Sequence, residues 1–185
     1  MRTFIAIDLA ETIKDRIQKL ISELDKGDRS IRWVKRHGMH ITLSFLGEIS
    51  AEKAKDVSAS VESLTKNHDR FSMSVIGSGY FPQKRKNPRI IWLGIKNSKE
   101  LISLHGSVIS TMEKIGFSRE NRPFHPHITI GRVKIPLGLE PLLDRLDQNA
   151  ETEFGSMIVD QIIFFKSILK PTGAEYSIIC EGKLR

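Results

Sequence analysis

Met39-His40-Ile41-Thr42-Leu43-Ser44-Phe45-Leu46-Gly47 decides how this chain is read, because its polar and apolar residues alternate. Successive side chains of an extended strand point to opposite faces. His40, Thr42 and Ser44 are therefore expected on one face, and Ile41, Leu43 and Phe45 on the other, toward a core. A second stretch, His127-Ile128-Thr129-Ile130-Gly131-Arg132, repeats the pattern, with His127 and Thr129 opposite Ile128 and Ile130. Both stretches read His-Ile-Thr.

Working outward, each stretch sits in a similar setting. Phe4-Ile5-Ala6-Ile7 predicts a short buried strand, and Ile13, Ile17, Leu20, Ile21 and Leu24 then recur at helical spacing over 10–24. Lys26-Gly27-Asp28 reads as a turn before a short strand through Trp33-Val34 and a longer one over 39–49. Ser50 is a candidate cap for a helix reaching about Lys66. Strands are expected over 71–80 and 89–95, and a helix over 98–115 ended by Gly116. After the 126–133 strand come a short helix near 139–146, strands over 154–169 with a break, and a strand over 175–180.

Ile7 and Ile95 are 88 residues apart, His40 and His127 are 87 apart, and the helices starting at Ala10 and Ser98 are again 88 apart. The order strand, helix, strand thus occurs twice. It predicts an α+β fold of two similar lobes from an internal duplication, with antiparallel sheets lining a central cleft and helices outside. Residues 1–185 are read as a single two-lobed domain with approximate half-chain repeats 1–87 and 88–185. No Pro-, Gly- or Ser-rich linker separates them.

Length and composition fit a globular core: 39% hydrophobic and 28% charged residues, too apolar for a disordered chain. The single cysteine, Cys180, cannot form an internal disulfide and reads as a packed strand residue. The first apolar run meets Asp8 at once and is too short for a signal-peptide core, and no stretch is long enough to cross a bilayer. A cytoplasmic location and a monomer are expected. A net charge of +7 favours polyanionic partners, and basic clusters occur at Arg29-Ser30-Ile31-Arg32-Trp33-Val34-Lys35-Arg36 and Lys84-Arg85-Lys86-Asn87-Pro88-Arg89.

Two histidines facing each other across a cleft suit displacement at phosphorus. The attacking and leaving oxygens lie on opposite sides, so a base is needed on one side and an acid on the other. An imidazole with a pKa of about 6.5 can fill either role near neutrality. Thr42 and Thr129 can then donate to the non-bridging oxygens. On this geometry the two imidazoles should bracket one phosphate, on the order of 5–8 Å apart.

These residues resemble the RNA 2′,3′-cyclic phosphodiesterases, long called 2′-5′ RNA ligases, of the two-histidine phosphoesterase superfamily. Phe4-Ile5-Ala6-Ile7-Asp8, Trp33-Val34, Leu43-Ser44-Phe45-Leu46-Gly47, Phe81-Pro82, Pro88-Arg89-Ile90-Ile91-Trp92-Leu93-Gly94 and His125-Pro126-His127-Ile128-Thr129-Ile130-Gly131-Arg132 all sit in family order. The resemblance implies hydrolysis of RNA 2′,3′-cyclic phosphate ends to a 2′-phosphate, with reverse 2′-5′ ligation through the same groups. It implies His40 as proton donor to the leaving 3′ oxygen and His127 as the base that activates water. It implies Thr42, Thr129 and Arg132 as phosphate ligands, and RNA ends (tRNA fragments or oligonucleotides) as partners. By parity Arg132 faces away from His127, so a bend or bulge is expected near Gly131.

Two other readings compete. His125-x-His127 has metal-ligand spacing, and His37 lies near His40, with Glu48 not far in sequence. A zinc site needs a third or fourth ligand, and neither motif has a suitable acid close by, so no metal and no cofactor are expected. A binding module that holds a nucleotide without turning it over has no need of two opposed imidazoles. Gly77-Ser78-Gly79 lacks the lysine and the spacing of a phosphate-binding loop. His37 is expected to be solvated, and His68 and His105 have no partner legible in the sequence.

Overall fold

The computed structural model describes every residue except 28, 97, 120–122 and 171–172. Asp28 of the expected Lys26–Asp28 turn lies outside the described residues. The chain runs β1 (Arg2–Asp8), α1 (Glu11–Leu24), β2 (Ile31–Trp33), a 3-10 turn (Arg36–Gly38), β3 (His40–Glu48) and α2 (Ala51–Thr65). It continues through β4 (Phe71–Phe81), β5 (Ile90–Ile95), α3 (Lys99–Lys114), β6 (His127–Val133) and α4 (Glu140–Gln148), ending with β7 (Glu153–Val159), β8 (Gln161–Lys170) and β9 (Gly173–Lys183). Ser50 caps α2 by accepting from the Lys53 amide at 3.1 Å, and Ser98 caps α3 from Leu101 at 3.0 Å. Gly116, at φ +93°, follows α3 in the left-handed region that glycine enters without strain.

One curled antiparallel sheet has the order β7-β4-β5-β6-β3-β1-β8-β9, with β2 on β6. Read from its middle, the order is two-fold: β3, β1, β8, β9 on one side answer β6, β5, β4, β7 on the other. The chain crosses between them, because β4 pairs with β5 and β7 while β8 pairs with β1. The α+β fold with similar lobes, a central cleft and outer helices is as expected.

The helices cover one face. α1 packs on β7, α2 on β8 and β9, α3 on β3 and α4 on β4. Ile7, Ile41, Leu93, Ile128 and Ile130 turn toward them and are all but fully buried. Their burial holds the helices against the outer face of the sheet and leaves the other, concave face for polar residues.

Bulges change the parity of the strands. In the β1–β3 pair the register slips twice, leaving Leu43 and Leu46 as extra residues on β3. Ser44 is therefore buried and Phe45 is 64% exposed. That corrects the uninterrupted alternation expected beyond Thr42: Phe45, opposite Phe4, joins the His40 face, and Ser44 leaves it. A third slip makes Ile130 the extra residue of β6 against β5. Ile130 and Gly131 are consecutive buried residues and Arg132 is exposed, so the expected bulge near Gly131 returns Arg132 to the face of His127. Gly131 itself has room for little more than hydrogen, since a Cβ there would lie 3.1 Å from the Trp33 ring.

Candidate active site

β3 and β6 are antiparallel neighbours joined at Ile41 and Ile128. One residue to either side, that register sets His40 opposite Thr129 and Thr42 opposite His127. The four side chains form a square on the concave face, all half-buried, with the histidines on its diagonal. Diagonal cross-strand residues are about 7–8 Å apart.

Each imidazole is tied to the backbone two residues upstream. His127 Nδ1 donates to the His125 carbonyl at 2.8 Å. A carbonyl only accepts, so Nδ1 carries the proton and Nε2 is left for the cleft. His40 makes the corresponding backbone hydrogen bond to Gly38. His125, whose spacing to His127 suits a metal ligand, instead orients His127 through its backbone carbonyl.

Aromatic rings wall both histidines. His40 lies 4.8 Å from the Phe4 ring and 5.2 Å, edge-on, from Tyr176. His127 meets Phe81 edge-on at 5.5 Å, and Phe81 stacks on Trp92 at 5.1 Å. Trp92 lies so flat on Gly79 that a Cβ there would sit 2.5 Å from its ring. Phe165 and Tyr176 come from the last two strands, 125 and 136 residues after His40 in sequence. No local pattern around His40 could have pointed to them.

Burial pushes the His40 pKa down from 6.5 to about 4. The Gly38 bond and the Asp8 carboxylate oppose that shift, while the Arg132 and His127 charges add to it. Asp8 faces His40 in the β1–β3 register and is held by the buried Lys14 ammonium at 3.0 Å. Among the described residues the Thr42 and Thr129 hydroxyls have no hydrogen-bond partner, so both remain able to donate to a ligand.

The basic clusters divide. Arg36 binds Glu11 at 2.6 Å and also Asp15, and Arg85 binds Asp147 at 2.6 Å and also Asp144. Those two arginines fasten helices α1 and α4. Among the described residues no group of three or more His, Cys, Asp or Glu side chains converges as metal ligands, and His37 is exposed. His105 stacks on Phe124 with ring centres 3.7 Å apart. Cys180 is half-buried in β9, with its thiol pKa raised by burial. No helix among the described residues is long and apolar enough to cross a membrane.

A family-wide sequence model described as the 2′-5′ RNA ligase superfamily matches residues 9–168. The chain belongs to this superfamily. An RNA 2′,3′-cyclic phosphodiesterase of Thermotoga maritima is 37% identical over 182 residues, covering 98% of this chain and 94% of that protein. One of Methanothermobacter thermautotrophicus is 31% identical, covering 96% and 95%. Among solved structures, TT0787 of Thermus thermophilus superposes with a TM-score of 0.86 at 26% identity, covering 100% of this chain and 98% of that one. LigT of Escherichia coli, complexed with 3′-AMP, gives 0.81 at 27%, covering 99% and 97%.

Proposed function

We propose that this protein is an RNA 2′,3′-cyclic 3′-phosphodiesterase that opens cyclic phosphate ends to a 2′-phosphate without a metal. The observation that carries the reading is the β3–β6 register, which sets two imidazoles diagonally and two free hydroxyls between them on one concave face. Relatives bearing that activity in their names, 31–37% identical over nearly the whole chain, support it.

The cyclic phosphate lies over the square, its charged non-bridging oxygens accepting from Thr42 and Thr129. His127 Nε2 takes a proton from water as the water oxygen attacks phosphorus opposite O3′. The P–O3′ bond breaks, O3′ takes a proton from His40, and the phosphate stays on O2′. Arg132, back on this face through the bulge, stands at the rim and favours the anion. His40 is neutral in the free protein near pH 7, so it takes up its proton when the anion enters and favours the charged imidazole.

With a 5′-hydroxyl in place of water as the nucleophile, the same groups form a 2′-5′ linkage: His127 takes the hydroxyl proton, the P–O3′ bond breaks and O3′ takes its proton from His40. One chain supplies both histidines and both threonines, so a monomer suffices, with cytoplasmic RNA ends, tRNA fragments or oligonucleotides, as substrates. The test is an oligonucleotide ending in a 2′,3′-cyclic phosphate, its product mapped by position. A 2′-phosphate product is expected; a product phosphorylated only at the 3′ position, or no turnover, overturns the reading.

A further inference from the structure

The β2–β6 pair sets Arg32 directly opposite Arg132. Such residues share a face with Cβ atoms about 4.5–5.5 Å apart, and like charges there destabilise the pair. Both side chains are exposed, and among the described residues neither has a carboxylate partner. Elsewhere this fold does supply partners: Arg36 and Arg85 each have two carboxylates. Among the described residues no carboxylate relieves the repulsion between Arg32 and Arg132.

Their position gives the reason. β3 and β2 lie along the same edge of β6, β3 beside Ile128 and β2 beside Gly131–Val133. Past the Ile130 bulge, the Arg132 row follows the Thr129 row by one side-chain repeat, about 6.6 Å. Across the sheet that row continues through Ile90 to Phe81, whose ring meets His127. The arginines therefore lie on the concave face beside the histidine–threonine square.

We propose that Arg32 and Arg132 form a second anion site, which holds the phosphodiester on the 5′ side of the nucleotide being opened. The proposal rests on the phosphodiesterase reading. Guanidinium groups bind phosphate oxygens through paired N–H donors, and one phosphodiester between two of them replaces a repulsion with two attractions. A cyclic mononucleotide has no such group. A dinucleotide ending in a 2′,3′-cyclic phosphate has one, so RNA of two or more nucleotides is the favoured substrate class, selected through its backbone.

The test compares kcat/KM for the cyclic mononucleotide and the cyclic-ended dinucleotide in wild type and Arg32→Gln. Wild type should prefer the dinucleotide, and Arg32→Gln should lose about tenfold more on the dinucleotide than on the mononucleotide, mainly through KM. The salt slope for the dinucleotide should become shallower by about one. Equal losses on both substrates, or an intact dinucleotide preference, overturn the second site. The melting temperature should hold or rise as the repulsion goes; a fall of several degrees marks Arg32 as structural and also overturns it. Calorimetric binding of a dinucleotide 2′-phosphate is the separate readout. If wild type turned over neither substrate, the phosphodiesterase reading would fall, and weaker binding by Arg32→Gln would still decide for the arginine pair.

Discussion

Ile41 of β3 and Ile128 of β6 face each other at the seam between the two halves of the sheet, and both are fully buried. Their side chains point to the helices while their neighbours in sequence form the histidine–threonine square. Packing on one face therefore fixes the geometry on the other. Ile128→Ala or Ile41→Ala should cost about 2–5 kcal/mol, the usual range for emptying a core site. Turnover should fall further than the folded fraction explains. Denaturant unfolding and kcat on the same samples check this, and an activity loss that only tracks unfolding would separate the seam from the site.

His40→Ala and His127→Ala should each lower kcat by about 10²–10⁴, the share usual for a positioned acid or base. The double variant should be far less than multiplicatively worse, because the two act on one transition state. Thr42→Ala or Thr129→Ala should be milder, removing one donor to the phosphate. A single-histidine variant with near wild-type turnover would remove that residue from the reaction.

The lowered pKa of His40, about 4, makes a signed prediction. Asp8 from β1, His127 and Arg132 from β6, and Tyr176 from β9 surround it. Its preference for the neutral form stabilises the folded state fully above pH 6.5. That contribution is lost as pH falls from 6.5 toward 4, where the unfolded imidazole protonates first. His40→Gln should flatten this part of the stability curve. Binding of sulfate, which does not itself titrate, should take up protons between about pH 5 and 6. Calorimetry in buffers of different ionisation enthalpy measures that uptake, and proton release would argue against His40 as the acid.

Turnover should persist in excess chelator and gain nothing from added zinc or magnesium, since the proposed steps use only imidazole and hydroxyl groups. Loss on chelation with recovery on zinc would put a metal in the reaction.

Gly79→Ala should act at a distance. Its Cβ would lie 2.5 Å from the Trp92 ring, which must then leave the sheet and disturb Phe81 and His127. A fall in kcat is expected with His127 itself untouched. Wild-type kinetics with a shifted tryptophan emission would show that the ring wall does not position the imidazole.

The sequence conveyed whatever depends on local periodicity. The stripe Ile13, Ile17, Leu20, Ile21, Leu24 is buried on α1, and Ser50 and Gly116 mark helix ends as read. The histidines share a face because both strand parity and the half-chain offset encode that. Ser44 and Phe45 depart from the expected parity because a bulge shifts it without any glycine or proline to mark the place; at Gly131 the arginine beyond gives the clue. Arg36 and Arg85 look like open basic surface in sequence because their carboxylates come from other elements, Glu11 and Asp15 in one case and Asp144 and Asp147 in the other. Two of the aromatic partners of His40, Phe165 and Tyr176, lie in β8 and β9, beyond the reach of any window along the chain.

The pairing of β8 with β1 also sets a timetable for synthesis. A nascent chain emerges from its N-terminus, so β1 and β3 are made long before the strands that complete their side of the sheet. Phe165 and Tyr176, which wall His40, are among the later residues to leave the ribosome. A chain stalled after α4 holds both His-Ile-Thr motifs but an unpaired β1 edge and an open His40. A truncated product carrying both motifs should therefore bind RNA poorly and hydrolyse nothing.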